Sequence, residues 1–160
     1  MTELIDQFAK TYSMPPLKER PASRGLIIEN GRILLSYESN TDVYMTPGGG
    51  LEENETLEDC CVRELREETG YDVIPVERFV VINEYCFDTL YISNYFICKI
   101  SDKSEQSLTE IEIEHGMKPV WLDIDIALEI FSDYPNKRED IASLYLREFT
   151  VLNKYLSSVK

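Results

Sequence analysis

A segment near the middle of the chain carries the strongest folding signal, because it has both ends of a helix and one apolar side between them. Thr56 is a residue type that caps helix N-termini, and Gly70 lies where a left-handed C-terminal cap belongs. At about 100° per residue, the apolar side is formed by Leu57, Cys61 and Leu65. We therefore predict a helix between the two caps, with this side facing the core.

The inward side of this helix also carries acidic residues. Glu64 and Glu68 fall inside or beside the apolar arc, and Glu67 lies on its flank. The opposite side, which we expect to face solvent, holds Arg63, Arg66 and Asp59. Most charge-rich helices only present a solvated face. Here carboxylates at i, i+3 and i+4 crowd the inward end, where like charges repel and pKa values rise. Because hard cations such as Mg²⁺ and Mn²⁺ prefer oxygen ligands, the spacing predicts a metal site without identifying a reaction.

A glycine run, Pro47-Gly48-Gly49-Gly50, comes shortly before the helix. Consecutive glycines let the backbone approach a ligand closely, so that a carbonyl there becomes a further metal ligand. A tight turn between a strand and the helix is the alternative interpretation of a glycine run.

The rest of the chain alternates strand and helix patterns. Leu4, Ile5, Phe8 and Ala9 at helical spacing predict a short amphipathic helix over 3–10. Asn30-Gly31 between two apolar runs predicts a β-hairpin. Further strands are predicted at 43–46, 79–84, 90–100 and 120–122, with a polar loop at 101–109. Two helices should follow, with their inward residues being Ile124, Ala127, Leu128 and Phe131, and then Ile141, Leu144, Tyr145, Leu152 and Tyr155. This order predicts one α/β domain over 1–160, with an N-terminal helix or extension at 1–16 and a C-terminal helix at 136–160.

Composition limits the partners and the compartment. The 160 residues carry a net charge of −14, whereas duplex nucleic acid and anionic membranes favour basic surfaces, so we expect neither as a partner. The sequence shows no signal peptide and no apolar run long enough to span a bilayer, which favours a cytoplasmic location. The four cysteines form no CxxC pair, which favours buried reduced thiols over a zinc site.

Residues 49–71 resemble the Nudix box, G-x5-E-x7-R-E-U-x-E-E-x-G-U, in which U is a bulky apolar residue. The residues at the specified positions are Gly49, Glu55, Arg63, Glu64, Leu65, Glu67, Glu68, Gly70 and Tyr71. All of them agree with the pattern, and Tyr71 is the least typical. The chain is identified on this pattern as a member of the Nudix superfamily, with no subfamily indicated. The resemblance implies an α+β fold in which a mixed sheet lies between helices.

Nudix proteins typically use Mg²⁺ or Mn²⁺ to hydrolyse a pyrophosphate bond in a nucleoside diphosphate linked to a further group. The resemblance implies three metal ligands, namely Glu67, Glu68 and the Gly48 carbonyl. It implies that Glu64 is a metal ligand or the base that activates water, and that Glu55 binds or orients the metal shell. Arg63 would hold the glutamates in place by ion pairing.

The family often adds a carboxylate from a loop before the last strand, and the segment 109–114 lies in that place. We rank Glu114 first as this catalytic or metal-binding acid, Glu112 second and Glu110 third. Alternation would place all three on one face of an extended segment, for which a solvent-facing edge is the simpler account. His115 is either near the phosphates or, more simply, an incidental loop histidine.

Substrate choice is decided outside the box. The aromatic candidates for stacking on a base are Tyr44, Tyr85, Phe87 and Tyr91, each of which is also an ordinary strand residue. Tyr85 falls at about the distance after the box where some relatives that cleave diadenosine polyphosphates have a tyrosine. Arg24 is a candidate for guiding phosphates, with a solvent-facing salt bridge as the alternative.

Two functions follow from the resemblance. The first is metal-dependent hydrolysis of a nucleoside triphosphate, a nucleotide sugar or a dinucleoside polyphosphate. The second is a Nudix-fold domain that senses a nucleotide without cleaving it. Such sensors usually lack some box glutamates, so the complete set favours the enzyme. Dimers are common in the family, but no residue here decides whether this chain forms a homodimer.

Overall fold

The computed structural model describes residues 2–12 and 14–160, which form nine strands and four α-helices. The strands are β1 (Glu3–Phe8), β2 (Lys18–Leu26), β3 (Ile28–Glu29), β4 (Arg32–Glu38), β5 (Val43–Met45), β6 (Gly48–Gly50), β7 (Tyr71–Cys86), β8 (Thr89–Lys103) and β9 (Met117–Asp123). The helices are α1 (Leu57–Thr69), α2 (Glu110–Glu114), α3 (Ile124–Ser132) and α4 (Glu139–Ser158), with a 3₁₀ turn at Tyr134–Asn136.

The strands form two sheets. The larger is mixed, in the order β1-β7-β8-β2-β6, with β1 parallel to β7 and β2 parallel to β8. In the smaller sheet, β4 pairs antiparallel with β3, β5 and β9. The large sheet places the glycine strand β6 beside β2, so that the start of the box lies at a sheet edge next to Arg24.

Helices cover both sides of this β-structure. Neighbouring strand residues point in opposite directions, and they divide the core into two clusters. Ile27 and Phe96 pack with Leu65 of α1 in one cluster. Leu26 and Tyr95 pack with residues of α3 and α4 in the other. The predicted fold class, a mixed sheet between helices, is confirmed.

Several local predictions are also confirmed. The hairpin at Asn30-Gly31 turns with φ values of 52° and 75°, as an Asn-Gly turn requires. The predicted strands at 43–46, 79–84, 90–100 and 120–122 are present as β5, β7, β8 and β9. The predicted inward side chains of α3 and α4 lie in or against the core, except Tyr155, which packs on Phe79 instead; Ala127, Phe131, Tyr145 and Leu152 are buried.

Three local predictions are wrong. Residues 3–10 do not form a helix, because β1 pairs with the edge of β7 through residues 3–8; Met1 and Ser13 of the predicted N-terminal extension lie outside the described residues. The segment 110–114 is not extended but forms α2. The polar loop begins later than predicted, because β8 continues to Lys103. The glycine run is also more regular than a turn, since it forms β6.

The cysteines agree with the prediction in part. Cys60, Cys61 and Cys98 are buried free thiols, whereas Cys86 is half-buried. In the part of the chain that the structure describes, no helix has both the length and the apolar character needed to cross a membrane.

Candidate functional site

Helix α1 holds its glutamates in place through well-formed ends. The Thr56 side chain accepts a hydrogen bond from the Asp59 N–H at 3.0 Å. Gly70 has a φ of 76°, and its N–H donates to the Arg66 carbonyl at 2.9 Å. Both predicted caps are confirmed. Because Leu65 is fully buried, α1 is oriented with Glu64 and Glu68 facing inward.

Glu68 is the most deeply buried of the box glutamates, with only 4% of its surface exposed. Its Oε2 accepts hydrogen bonds from the Ser36 hydroxyl at 3.0 Å and from the Gly48 N–H at 3.1 Å. The pKa of Glu68 is raised to about 8, chiefly by burial; the charges of Glu64 and Glu112 contribute to the rise, and the Gly48 N–H opposes it. This carboxyl therefore loses its proton more readily when positive charge is added beside it.

The helical wheel placed Arg63 on the solvent side of α1. This prediction is wrong, because the segment before α1 folds back against Arg63. Its side chain is 23% exposed, and its Nε and Nη2 contact the two carboxylate oxygens of Glu55 at 2.6 and 3.0 Å. Nη1 donates to Glu64 at 2.9 Å and to Glu67 at 3.4 Å. Nη2 also donates to the Gly50 carbonyl at 3.1 Å. One guanidinium thus ties the glycine strand, the loop and the helix together.

Glu64 and Glu67 occupy different surroundings on the same helix. The side chain of Glu64 is 14% exposed, whereas that of Glu67 is 37% exposed. Burial raises the pKa of Glu64, although Arg63 opposes the shift. A Cβ atom at Gly49 would lie 2.5 Å from the Glu64 carboxylate carbon, so the side chain of Glu64 fits only beside a glycine. The backbone of the glycine run therefore does approach another group closely, and that group is the Glu64 side chain.

The loop acids are rearranged by α2. Glu112 accepts a hydrogen bond from the Thr109 N–H at 2.8 Å, and the Thr109 hydroxyl accepts from the Glu112 N–H at 3.2 Å, which completes a capping box. The charge of Glu112 raises the pKa of both Glu64 and Glu68. Glu114 and Glu110 are exposed. Of the three ranked acids, Glu112 is therefore the one whose charge acts on Glu64 and Glu68, whereas the first-ranked Glu114 is exposed. His115 lies away from these contacts and pairs with Glu38 at 2.8 Å.

The donor set suits a hard divalent cation. Carboxylate oxygens of Glu64, Glu67 and Glu68 project from adjacent turns, and the mutual charge effects of Glu64, Glu68 and Glu112 disfavour full ionisation. Within residues 2–12 and 14–160, no group of three or more His, Cys, Asp or Glu side chains is closed around a common point as a metal centre. The residues present fit Mg²⁺ or Mn²⁺ by their oxygen chemistry and excess negative charge.

A cavity of about 530 Å³ lies beside the box, between β2, the β7–β8 hairpin and α4. Arg24 lines it, pairs with Gly48 across β2 and β6, and donates to the Thr46 carbonyl at 3.4 Å. Phe87 and Tyr91 also line it and are 60% and 41% exposed. The lining includes Glu84 and Arg147, which form a buried ion pair at 2.9 Å. The cavity therefore combines a cation next to the glycine strand with aromatic surface.

Of the predicted substrate-binding residues, Arg24 lines this cavity, whereas Tyr44 and Tyr85 do not. Tyr85 stacks on Phe8 with ring centroids 4.6 Å apart. Tyr44 stacks on Tyr37 at 4.3 Å and borders a separate cavity next to α3. Each ring therefore already has an aromatic partner, while Phe87 and Tyr91, the other two aromatic candidates, border the cavity.

The sequence interpretation missed the buried charges of α4, Arg147 and Glu148. The signal was available, because Glu148 lies three residues after Tyr145 and four before Leu152, on the apolar side of the helix.

Comparisons with known proteins agree with this geometry. The NUDIX domain model matches residues 19–143. The m7GpppN-mRNA hydrolase of Saccharomyces cerevisiae is 31% identical over 125 residues, which cover 76% of this chain but only 12% of that much longer protein. Two solved structures share the fold. The E. coli ORF135 protein superimposes with a TM-score of 0.62 at 18% identity, covering 88% of this chain and 90% of that one. A NUDIX hydrolase from Nitrosomonas europaea gives 0.61 at 21% identity, covering 82% and 88%. Because the family model matches most of its length, the chain belongs to the NUDIX domain family.

Proposed function

We propose that the chain is a divalent-metal-dependent hydrolase that cleaves a pyrophosphate bond in a nucleoside diphosphate linked to another moiety. The observation that carries this proposal is the position of three glutamates near the end of α1: Glu64 and Glu67 pair with Arg63, and Glu68 accepts a hydrogen bond from the Gly48 N–H. The family membership supports hydrolysis. The name of the yeast relative, an m7GpppN-mRNA hydrolase, supports a substrate in which phosphates join two groups.

The roles of the box residues follow from their surroundings. Glu67 and Glu68, with the Gly48 carbonyl, are the proposed metal ligands, and Glu55 acts on the metal shell through Arg63. When bound, Mg²⁺ or Mn²⁺ neutralises phosphate oxygens and lowers the pKa of an attacking water. Glu64, whose pKa is raised by burial, and Glu112, whose charge acts on the same place, are the candidates that accept the proton from that water. Arg63 keeps Glu64 and Glu67 in fixed orientations.

The cavity beside Arg24 is the proposed binding place for the organic part of the substrate. Arg24, which pairs with Gly48 across β2 and β6, is the proposed phosphate contact, and Phe87 and Tyr91, which line the same cavity, are the proposed stacking surface for a base. The candidate substrates are nucleoside triphosphates, nucleotide sugars and dinucleoside polyphosphates. A cytoplasmic location and a homodimer stay predictions.

A hydrolysis screen tests the proposal. The protein is incubated with Mg²⁺ or Mn²⁺ and a panel of these nucleotides, and the products are identified by mass. We expect turnover of at least one substrate by the natural chain, none with a chelator present, and none by Glu68→Gln. Glu58→Gln, which removes the same charge from an exposed position on the same helix, serves as the control and should keep full activity.

The second candidate function is a nucleotide sensor without hydrolytic activity. Tight binding of one nucleotide with no product from any member of the panel would support the sensor and contradict the enzyme. The complete set of box glutamates favours the enzyme, because a sensor needs no base to activate water.

A further inference from the structure

The C-terminal helix α4 buries a charged network beside the start of the box. Glu148 is 1% exposed, and its Oε1 accepts a hydrogen bond from Arg147 Nη2 at 2.9 Å. The other terminal nitrogen of Arg147 donates to Glu84 Oε1 at 2.9 Å. One guanidinium therefore lies between two buried carboxylates, one from α4 and one from β7.

Glu148 also contacts the segment that leads into the glycine strand. The Thr46 hydroxyl lies 2.9 Å from Oε1 and 3.0 Å from Oε2 of Glu148, and the Thr46 N–H donates to Oε1 at 3.4 Å. Thr46 is 2% exposed and precedes Gly48 by two residues. The Gly48 N–H in turn donates to Glu68 Oε2 at 3.1 Å. A short path of contacts thus joins α4 to the most deeply buried box glutamate.

The opposite side of this segment is held by β2. The Gly25 N–H donates to the Pro47 carbonyl at 3.0 Å, and Arg24 donates to the Thr46 carbonyl. In these bonds the carbonyl oxygens of Thr46 and Pro47 accept from β2, whereas the hydroxyl and N–H groups of Thr46 contact Glu148. The segment 46–48 therefore lies between strand β2 and helix α4, and Glu148 of α4 is 102 residues from Thr46 in the sequence.

Stability alone does not explain this network. Apolar residues of similar volume often stabilise a core as well as a buried ion pair does, because desolvation of the charges offsets their attraction. Buried polar contacts do fix one arrangement among several when all of their partners are present. We propose that Glu148 is a positioning residue, which holds Thr46 so that Gly48 stays aligned with Glu68. This inference rests on the proposed function, since it takes Glu68 as part of the active site.

The test compares four variants of the full chain. Thr46→Val removes the hydroxyl that contacts Glu148, Glu148→Gln removes the charge and replaces one of the two acceptor oxygens with an NH2 donor, and Thr46→Ser keeps the hydroxyl. Ser143→Ala is the matched control, because Ser143 donates to Glu84 from the same helix without contacting Thr46. Hydrogen exchange of the Gly48 amide is measured by NMR without metal, Mn²⁺ affinity by calorimetry, and kcat and KM on a substrate found in the screen.

We expect Gly48 exchange to accelerate in Thr46→Val and Glu148→Gln and to stay unchanged in Thr46→Ser and Ser143→Ala. Mn²⁺ affinity and kcat should fall about 10- to 100-fold in the first two variants, as for other residues that orient metal ligands. KM should change by less than about twofold, because the contact does not touch substrate.

Unchanged Gly48 exchange in both contact variants would overturn the inference. Equal acceleration in Ser143→Ala would also overturn it, because the cause would then be a general loosening of α4. If Glu148→Gln fails to fold, Thr46→Val decides, since it leaves the pairing of Glu148 with Arg147 intact. Absence of hydrolysis by the natural chain would contradict the proposed function instead, while Gly48 exchange would still decide the role of Glu148.

Discussion

Replacing Arg63 with methionine tests whether its guanidinium holds the box together. The substitution keeps a long unbranched side chain but removes the contacts to Glu55, Glu64 and Glu67. The contact with Glu55 is the strongest of these, because two nitrogens meet two oxygens. We expect the variant to fold, to lose most of its activity and to be less stable at neutral pH.

The size of the loss follows from the pKa of Glu55. Hydrogen bonding to Arg63 lowers this pKa from 4.5 to about 2, with burial opposing the shift. A difference of this size corresponds to about 3.4 kcal/mol at most. Because Arg63 is still 23% exposed and the pair lies near the surface, solvent screening reduces the contribution to about 1–2 kcal/mol.

The dependence on pH has a definite direction. Since the pKa of Glu55 is lower in the folded state, the stabilisation is fully present above pH 4.5 and is lost as the pH falls towards 2. Urea unfolding of both proteins at pH 7 and at pH 3 should therefore show a difference that shrinks at the lower pH. Arg66→Met is the control, because Arg66 is 52% exposed and pairs only with Asp72 among the described ion pairs. A difference for Arg63→Met that is equal at both pH values, or no larger than that of the control, would refute the reasoning.

Three further predictions concern the acidic residues. Gly49→Ala should displace Glu64 and lower kcat at least tenfold with little change in the circular dichroism spectrum, because the new Cβ would lie 2.5 Å from the carboxylate carbon; full activity would contradict the close fit. Glu112→Gln should slow hydrolysis more than Glu114→Gln in steady-state assays, and the opposite order would restore the ranking drawn from the sequence. Glu68→Gln should abolish Mn²⁺ uptake in calorimetry while keeping the thermal midpoint within a few degrees, and unchanged uptake would remove Glu68 from the metal site.

Helix α1 could be predicted from the sequence because all of its signals are local. Thr56 and Gly70 satisfy the helix ends through residues within four positions, and the apolar spacing of Leu57, Cys61 and Leu65 sets its rotation. The Asn30-Gly31 hairpin was predictable for the same reason. Where residues within one turn decide the conformation, the pattern is sufficient.

Strand β1 could not be predicted in this way, because its conformation depends on a distant partner. Leu4, Ile5 and Phe8 fit a helical spacing, yet Leu4 and Phe8 are each 59% exposed in the strand. Pairing with β7 satisfies the backbone of six residues at an otherwise open sheet edge, which outweighs the local pattern. The prediction for α2 was wrong for a different reason. Thr109 and Glu112 have the spacing of a capping box, but the alternation of residues 110–114 was taken to indicate an extended segment.

A helical wheel describes an isolated helix, and this explains what it predicted correctly and what it missed at the site. It placed Glu68 inward because Leu65 defines the buried side, and Glu68 is indeed buried. It placed Arg63 outward because it contains no information about the loop that carries Glu55 back over the helix.

The same wheel applied to α4 places Glu148 between Tyr145 and Leu152, as it places Glu68 near Leu65. In both helices a carboxylate on the apolar side has one of its hydrogen-bond donors in the short segment 46–48: Thr46 donates to Glu148, and Gly48 donates to Glu68. An acidic residue on an apolar helical side therefore indicates that a specific backbone segment approaches it, and it does so even where the pattern cannot identify that segment.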